Sequence, residues 1–196
     1  MTTNIMLAGV GGQGTVLASK LIAQSAMNHG QNARTAETIG MAQRGGCVVS
    51  HVRIGEELHS PMIPQGSADL LIGFEPAEAV RCLPYLREGG TVVVSSKAIK
   101  PVTASLSGSD YNGAEMLAFL KQQVEKLIVV DGEGICAQCG SAKVLNVALL
   151  GAAAASGVLG LTLEQLLETI RQRIPERFLD SNLKALSAGA KAATGE

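Results

Sequence analysis

The chain opens on a short apolar run, Asn4-Ile5-Met6-Leu7-Ala8-Gly9, which is too brief for a helix and ends directly in glycine. The pattern predicts a strand and then a tight turn. From Thr15 the apolar positions take helical spacing (Val16, Leu17, Leu21, Ile22, Met27) and stop at Asn28-His29-Gly30, where glycine suits a C-cap. Residues 33–37 form a second short extended piece. Residues 47–54 nearly alternate, Val48, Ser50, Val52 and Ile54 against Cys47, Val49, His51 and Arg53, which predicts an antiparallel or edge strand and hence a mixed sheet. Residues 69–74 (DLLIGF) and 91–95 (TVVVS) are continuous apolar runs, expected where helices cover both faces of a sheet.

A crossover helix over 76–86, a helix around 114–126 and a strand over 127–130 complete the core pattern. The polar, serine-rich stretch 95–113 reads as the most variable loop. Eighteen mostly apolar residues, 144–161, tempt a membrane reading, but Asn146, Ser156 and glycines at 151, 157 and 160 interrupt them. A helix buried on the sheet and ending near Gly157 fits better than a bilayer span. Thr162-Leu163-Glu164-Gln165 resembles a capping box, and Leu163, Leu166, Leu167, Ile170 and Ile174 follow on one face before Pro175. Leu179, Leu183, Leu186 and Ala190 repeat that spacing. Right-handed connections between these elements predict a three-layer α/β/α fold with a mostly parallel, mixed sheet, a Rossmann-like N-terminal half and a helical C-terminal third.

Length and composition narrow the function. At 196 residues, 46% apolar and 17% charged, residues 1–196 read as one domain that folds without disulfides or a structural metal. The net charge of -1 gives no counterion-release drive toward nucleic acid, and three Phe, two Tyr and no Trp leave too few rings for a base-stacking platform. Four scattered cysteines and the lack of a basic, apolar leader point to a reducing cytoplasm, with no membrane partner. Only Cys136 and Cys139 stand in CxxC spacing, two thiols where zinc or an iron-sulfur centre generally wants four ligands, so no metal is assigned.

The 23 glycines matter because of where they cluster. Gly9-Val10-Gly11-Gly12-Gln13-Gly14 satisfies G-x-G-x-x-G between a predicted strand and a helix, where free N–H groups and the helix dipole favour an anion. Taken with Glu37, placed where a ribose-binding acid would sit, it suggests a dinucleotide; the alternative is a tight junction with no ligand. Gly40-Met41-Ala42-Gln43-Arg44-Gly45-Gly46 pairs a guanidinium, suited to phosphate or carboxylate, with glycines just before a strand. A common anionic site using Gly9, Gly11, Gly12, Gln13, Gly14, Thr15, Gln43, Arg44, Gly45 and Gly46 is expected. No catalytic set accompanies it: His29, His51 and His59 lack triad or ligand spacing, and neither a G-x-S-x-G elbow nor a P-loop is present. Asp131-Gly132-Glu133-Gly134 reads as a turn.

These residues resemble a known family. The segment 9–15 with Ala18 and Lys20, then 41–46 and Ser50-His51-Val52-Arg53-Ile54-Gly55, is similar to the gamma domain of 2-oxoacid:ferredoxin oxidoreductases. The likeness continues through Ser60-Pro61, Ile63-Pro64, Gly66, Ala68-Asp69, Glu75, Glu78-Ala79, Arg81, Pro101, Asn182 and Gly189. Within that family the 41–46 form is most similar to the beta subunits of the indolepyruvate branch. The resemblance implies an alpha subunit carrying thiamine diphosphate and [4Fe-4S] clusters, oxidative decarboxylation of a 2-oxoacid to an acyl-CoA, and ferredoxin as electron acceptor. It also implies a coenzyme A contact here, with no catalytic residue and no tightly bound cofactor on this chain. A stand-alone NAD-dependent oxidoreductase and a non-enzymatic interaction protein are the alternative expectations.

Overall fold

A computed structural model describes residues 2–39, 45–100 and 110–195. Its centre is a six-stranded sheet of β1 (Thr3–Val10), β2 (Ala33–Ile39), β3 (Cys47–Ile54), β4 (Ala68–Gly73), β5 (Leu86–Ser95) and β6 (Lys126–Val130), in the order β2-β3-β1-β4-β5-β6. β1, β4, β5 and β6 pair in parallel, while β3 runs antiparallel to both β1 and β2. The near-alternation of 47–54 therefore does mark an antiparallel strand, and it lies inside the sheet between two neighbours.

Seven α-helices among the described residues flank the sheet: α1 (Thr15–Asn28), α2 (Pro76–Cys82), α3 (Ala114–Gln123), α4 (Gly132–Gln138), α5 (Leu145–Ala155), α6 (Leu163–Arg173) and α7 (Glu176–Thr194). Period-2 alternation of the strand side chains splits the core. Ile5, Leu7, Leu70, Ile72 and Val93 face α1 and the C-terminal helices, while Met6, Ala8, Leu71, Val92 and Val94 face Ala79 and Cys82 of α2 and Leu120 of α3. Three layers result, as the sequence pattern predicts.

The helix ends follow from local chemistry. α1 stops where His29 and Gly30 turn back on the last carbonyls, Gly30 taking φ +77°. α2 is shorter than predicted because Pro84 has no N–H to continue it, and Leu83–Tyr85 tighten into a 3-10 turn. α6 carries a true capping box: the Gln165 N–H donates to Thr162 Oγ1 (3.2 Å) and the Thr162 N–H to Gln165 Oε1 (2.9 Å). The stretch that tempted a membrane reading is α5, buried on all sides and ending before Gly157; among the described residues no helix is long and apolar enough to cross a bilayer. Asp131-Gly132-Glu133-Gly134 is corrected from a turn to the start of α4, with Asp131 Oδ1 accepting the Gly134 N–H at 3.0 Å.

Several residues that carry the resemblance hold the end of the sheet opposite the glycine-rich loop. Arg53 donates to Asn4 Oδ1 (2.8 Å) and to the Ser60 carbonyl (2.9 Å), and Asp69 accepts from the Asn4 N–H (2.8 Å) and Arg87 (2.6 Å). They pin the segment after β3 beneath the strand starts. His51, buried in β3, likewise serves packing: its Nδ1 accepts the Ile63 N–H at 3.2 Å and its ring meets Tyr85 edge-on, 5.9 Å between centroids.

Burial holds the His51 imidazole below its ordinary value of 6.5. The unfolded chain gains this proton near that value and the folded chain resists it, so the stabilising contribution is complete above the ordinary value and is lost as the pH falls toward the folded one. The melting temperature is expected to drop as the pH falls below the ordinary value of 6.5, with a shallower drop in His51→Asn, measured by thermal denaturation on either side of it. Parallel curves for the two proteins would remove His51 from the explanation.

Candidate functional site

β1 and β4 lie side by side and parallel, yet the chain leaves them toward opposite sides of the sheet, so their carboxyl ends border a switch point of the kind that holds ligands in open α/β folds. The loop from Gly9 to Thr15 occupies this place. Each glycine there has a different reason to be glycine. A Cβ on Gly9 would stand 2.8 Å from Phe74 Cβ, so Gly9 serves the approach of β1 to the end of β4. Gly12 takes φ +104° with nothing within 4 Å of its absent side chain, and the backbone is open there. Gly14, at φ +82°, is the N-cap of α1 and lies against the buried Asn146 at the start of α5.

Gln13 is a brace. Its Oε1 accepts the Val10 N–H and its Nε2 donates to the Phe74 carbonyl, both at 2.8 Å, so one amide joins the ends of β1 and β4. The Gly11 N–H donates to the Gly46 carbonyl at 2.8 Å. That bond brings the two glycine clusters together; Gly45, exposed at φ +75°, turns the chain beside it. Gln43 and Arg44 lie outside the described residues.

Among the described residues the mouth of α1 has no side-chain cap and no acid in its first turn to compensate it. It shares this state with α5, whereas α2, α4 and α6 are capped by Glu75, Asp131 and Thr162. Thr15 is 3% exposed, and its hydroxyl has no hydrogen-bond partner among the described residues. A buried hydroxyl without a partner costs about 1–3 kcal/mol. An anion held by the first-turn N–H groups would relieve both conditions.

Glu75, 2% exposed at the end of β4, is the residue that sequence reasoning left out of the site. Its Oε2 accepts from the N–H groups of Ala77 (2.7 Å) and Glu78 (3.1 Å), and its Oε1 accepts from the Tyr111 hydroxyl and the Ile99 N–H. Burial and this carboxylate push the Tyr111 phenol well above its ordinary value, so it stays a donor. The pair ties the segment after β5 to the start of α2, on the far side of the switch point from the glycine loop.

The dinucleotide reading loses its acid. β3 separates β2 from β1, and Glu37 lies level with Ser50 and Leu7, two strand spacings (about 10 Å) sideways and three residues short of the strand end. Its carboxylate takes a hydrogen bond from Ser19 of α1 at 3.2 Å instead. The CxxC pair sits at the C-terminal end of α4, the end opposite the one that activates a thiol, and burial raises both Cys136 and Cys139. Among the described residues no group of His, Cys, Asp and Glu could hold a metal.

Fold and loop together define a Rossmann-like α/β domain with an antiparallel strand set into the sheet. Residues 4–192 match the model of the pyruvate ferredoxin/flavodoxin oxidoreductase family. The chain is 37% identical over 195 residues to the indolepyruvate oxidoreductase subunit IorB of Thermococcus kodakarensis, covering 97% of this chain and 95% of the relative. Among solved structures it resembles the gamma subunit of a keto/oxoacid ferredoxin oxidoreductase from Geobacter sulfurreducens (TM-score 0.71, 24% identity, 99% of each chain). It also resembles 2-oxoglutarate:ferredoxin oxidoreductase from Magnetococcus marinus, solved with 2-oxoglutarate, coenzyme A and succinyl-CoA bound (TM-score 0.74, 19% identity, all of this chain and 31% of that one). The chain belongs to the pyruvate ferredoxin/flavodoxin oxidoreductase family and is an oxidoreductase subunit.

Proposed function

We propose that this chain is the small subunit of a cytoplasmic 2-oxoacid:ferredoxin oxidoreductase of the indolepyruvate type, and that its glycine loop cradles the diphosphate of coenzyme A. The observation that supports the cradle is that, among the described residues, the start of α1 has no side-chain cap and the Thr15 hydroxyl beside it has no partner. The residues fit the group: Gly12 leaves the backbone open to a bulky anion, and the first turn of α1 supplies N–H donors without a competing carboxylate. Gly9 and Gln13 shape and brace the loop from behind, and Arg44, from the adjoining cluster, supplies a fork for a phosphate.

The division of labour follows. The partner alpha subunit carries thiamine diphosphate and [4Fe-4S] clusters, which supply the decarboxylation and the electron path to ferredoxin. This chain contributes binding and orientation: it fixes the thiol carrier by its phosphates and covers the site where the acyl group is handed over. No side chain of its own enters the reaction, so the purified chain is expected to reduce no dye with arylpyruvate and coenzyme A, while the co-expressed pair does.

Arg44→Ala tests the cradle in the assembled pair. An Arg–phosphate pair contributes about 1.5–3 kcal/mol, so the variant is expected to bind coenzyme A roughly ten- to hundred-fold more weakly, with the KM for the 2-oxoacid unchanged. Calorimetric titration with coenzyme A reads this directly. Equal affinity in both proteins would take Arg44 out of the site.

A further inference from the structure

The two edges of the sheet differ in how they are protected. β6 is five residues long and opens on Lys126, a short and charged edge of the kind that resists further pairing. β2 is seven residues long, keeps an unbroken register with β3 and contains neither proline nor lysine. Among the described residues no strand pairs with its outer side, so a row of backbone N–H and C=O groups faces outward there.

Beside this edge lies a groove of about 400 Å³ between α1 and β2. Leu17 and Met27, 42% and 50% exposed, line it together with Thr35 of β2, and the exposed Lys20 and Arg173 add two cations. Arg173 reaches across to donate to Gln24 Oε1 of α1. These cations lack an anion: α1 contains no acid, no carboxylate lines the groove, and among the described residues none lies within 4.0 Å of Lys20 or Arg173. Glu37 stands two residues from Thr35 on the same face of β2 and is exposed. Its Oε1 accepts from Ser19, while its Oε2 receives no hydrogen bond among the described residues. An edge without a neighbour, two cations without an anion and a half-used carboxylate on that edge form a self-complementary set.

We propose that β2 pairs antiparallel with β2 of a second copy of this chain, about a two-fold axis that passes through Ala36. This register uses the whole strand: Ala33 stands opposite Ile39 of the other copy, Arg34 opposite Thr38, and Thr35 opposite Glu37. Side chains directly opposite share a face and lie about 5 Å apart, so Glu37 of each copy enters the other's groove beside Thr35 and meets Lys20 and Arg173. An axis through Thr35 would set each carboxylate opposite Ala33, and one through Glu37 would set the two carboxylates against each other. Two six-stranded sheets become one continuous sheet, and the exposed edge disappears. The contact is independent of what the glycine loop holds.

Sedimentation velocity of the full chain over a range of concentrations tests the pairing. The wild type is expected to pass from 20.2 kDa to twice that mass as concentration rises. Glu37→Lys should weaken dimerisation at least about a hundredfold, and so should Lys20→Glu combined with Arg173→Glu, because like charges then meet twice across the axis. Mixing the two variant proteins should restore the dimer. Every contact in the mixed pair again joins opposite charges, and a misfolded variant could not recover in this way. Ala36→Lys sets two ammonium groups opposite each other on the axis and should leave a monomer with an unchanged circular dichroism spectrum. A wild type that stays monomeric would overturn the pairing. So would a dimer that survives Ala36→Lys, which would place the contact on another surface, or charge variants that stay apart when mixed, which would remove the Glu37 contact and with it the register.

Discussion

Gly189→Ala is expected to destabilise the chain by about 3 kcal/mol, the upper part of the range for overpacking, and to lower the melting temperature by roughly 6–12 °C. Helix propensity alone predicts the opposite sign, because alanine is favoured over glycine by about 1 kcal/mol in a helix interior. Gly189 lies inside α7, and an added Cβ would stand 1.8 Å from the Ala148 carbonyl oxygen of α5. Gly151 is its counterpart on α5, with a Cβ meeting the Leu186 carbonyl at 2.0 Å. Two backbones therefore touch at this crossing, and neither obstacle is a side chain that could swing away. Since α5 is packed against the sheet as well, the strain has no direction in which to relax. Gly157→Ala gives the control: φ there is +74° with open space around it, so only the left-handed penalty of roughly 1–2 kcal/mol applies. Thermal and denaturant unfolding of the three variants should rank Gly189 and Gly151 well below Gly157. A Gly189→Ala protein as stable as wild type would mean that the two helices do not cross in this way.

Much of the fold was legible because binary patterning reports burial. The pattern from residue 47 showed one face different from the other, and β3 is the strand with reversed direction; the runs 69–74 and 91–95 are apolar throughout, and β4 and β5 are covered on both faces. Strand order was not legible, since nothing in residues 33–37 says that the following strand will fold back between β2 and β1. That one insertion removes Glu37 from the loop and with it the dinucleotide reading. Local spacing had measured 23 residues from Gly14 to Glu37 correctly, but the topology places them apart.

The candidate site divides in the same way. The meeting of the two glycine clusters was foreseeable from their positions after successive elements, and the Gly11–Gly46 hydrogen bond joins them. The separate tasks of the glycines were not, because close approach to Phe74, an open backbone and a left-handed cap all read as the same letter. Gln13 appeared as a ligand-binding candidate, and its bracing was not legible because the Phe74 carbonyl it bonds lies 61 residues away in the chain. Asn146 carried a usable signal: a polar residue interrupting an apolar run. It was evidence against a membrane span, and the same irregularity marks where α5 meets the glycine loop.

Gly12→Asp is expected to cut coenzyme A affinity in the assembled complex by at least a hundred-fold while leaving the two chains associated. The substitution is chosen because room exists for the new side chain, nothing standing within 4 Å, so the fold bears only the cost of φ +104°, on the order of 1–2 kcal/mol. What changes is charge. The start of α1 has no acid in its first turn, and a carboxylate at position 12 would take up the N–H donors and the dipole that the proposed phosphate needs. Losing one charge-assisted contact of about 1.5–3 kcal/mol and gaining like-charge repulsion exceeds the 2.7 kcal/mol or so that a hundred-fold represents. Gly12→Ala separates the components: it keeps most of the backbone strain without the charge, so it should weaken coenzyme A far less. A positive result in Asp with little effect in Ala identifies the loop as an anion site, whereas equal losses in both would assign the loss to backbone geometry. Coenzyme A affinity untouched by the aspartate would place the phosphates elsewhere and leave the loop as a structural junction between β1 and α1.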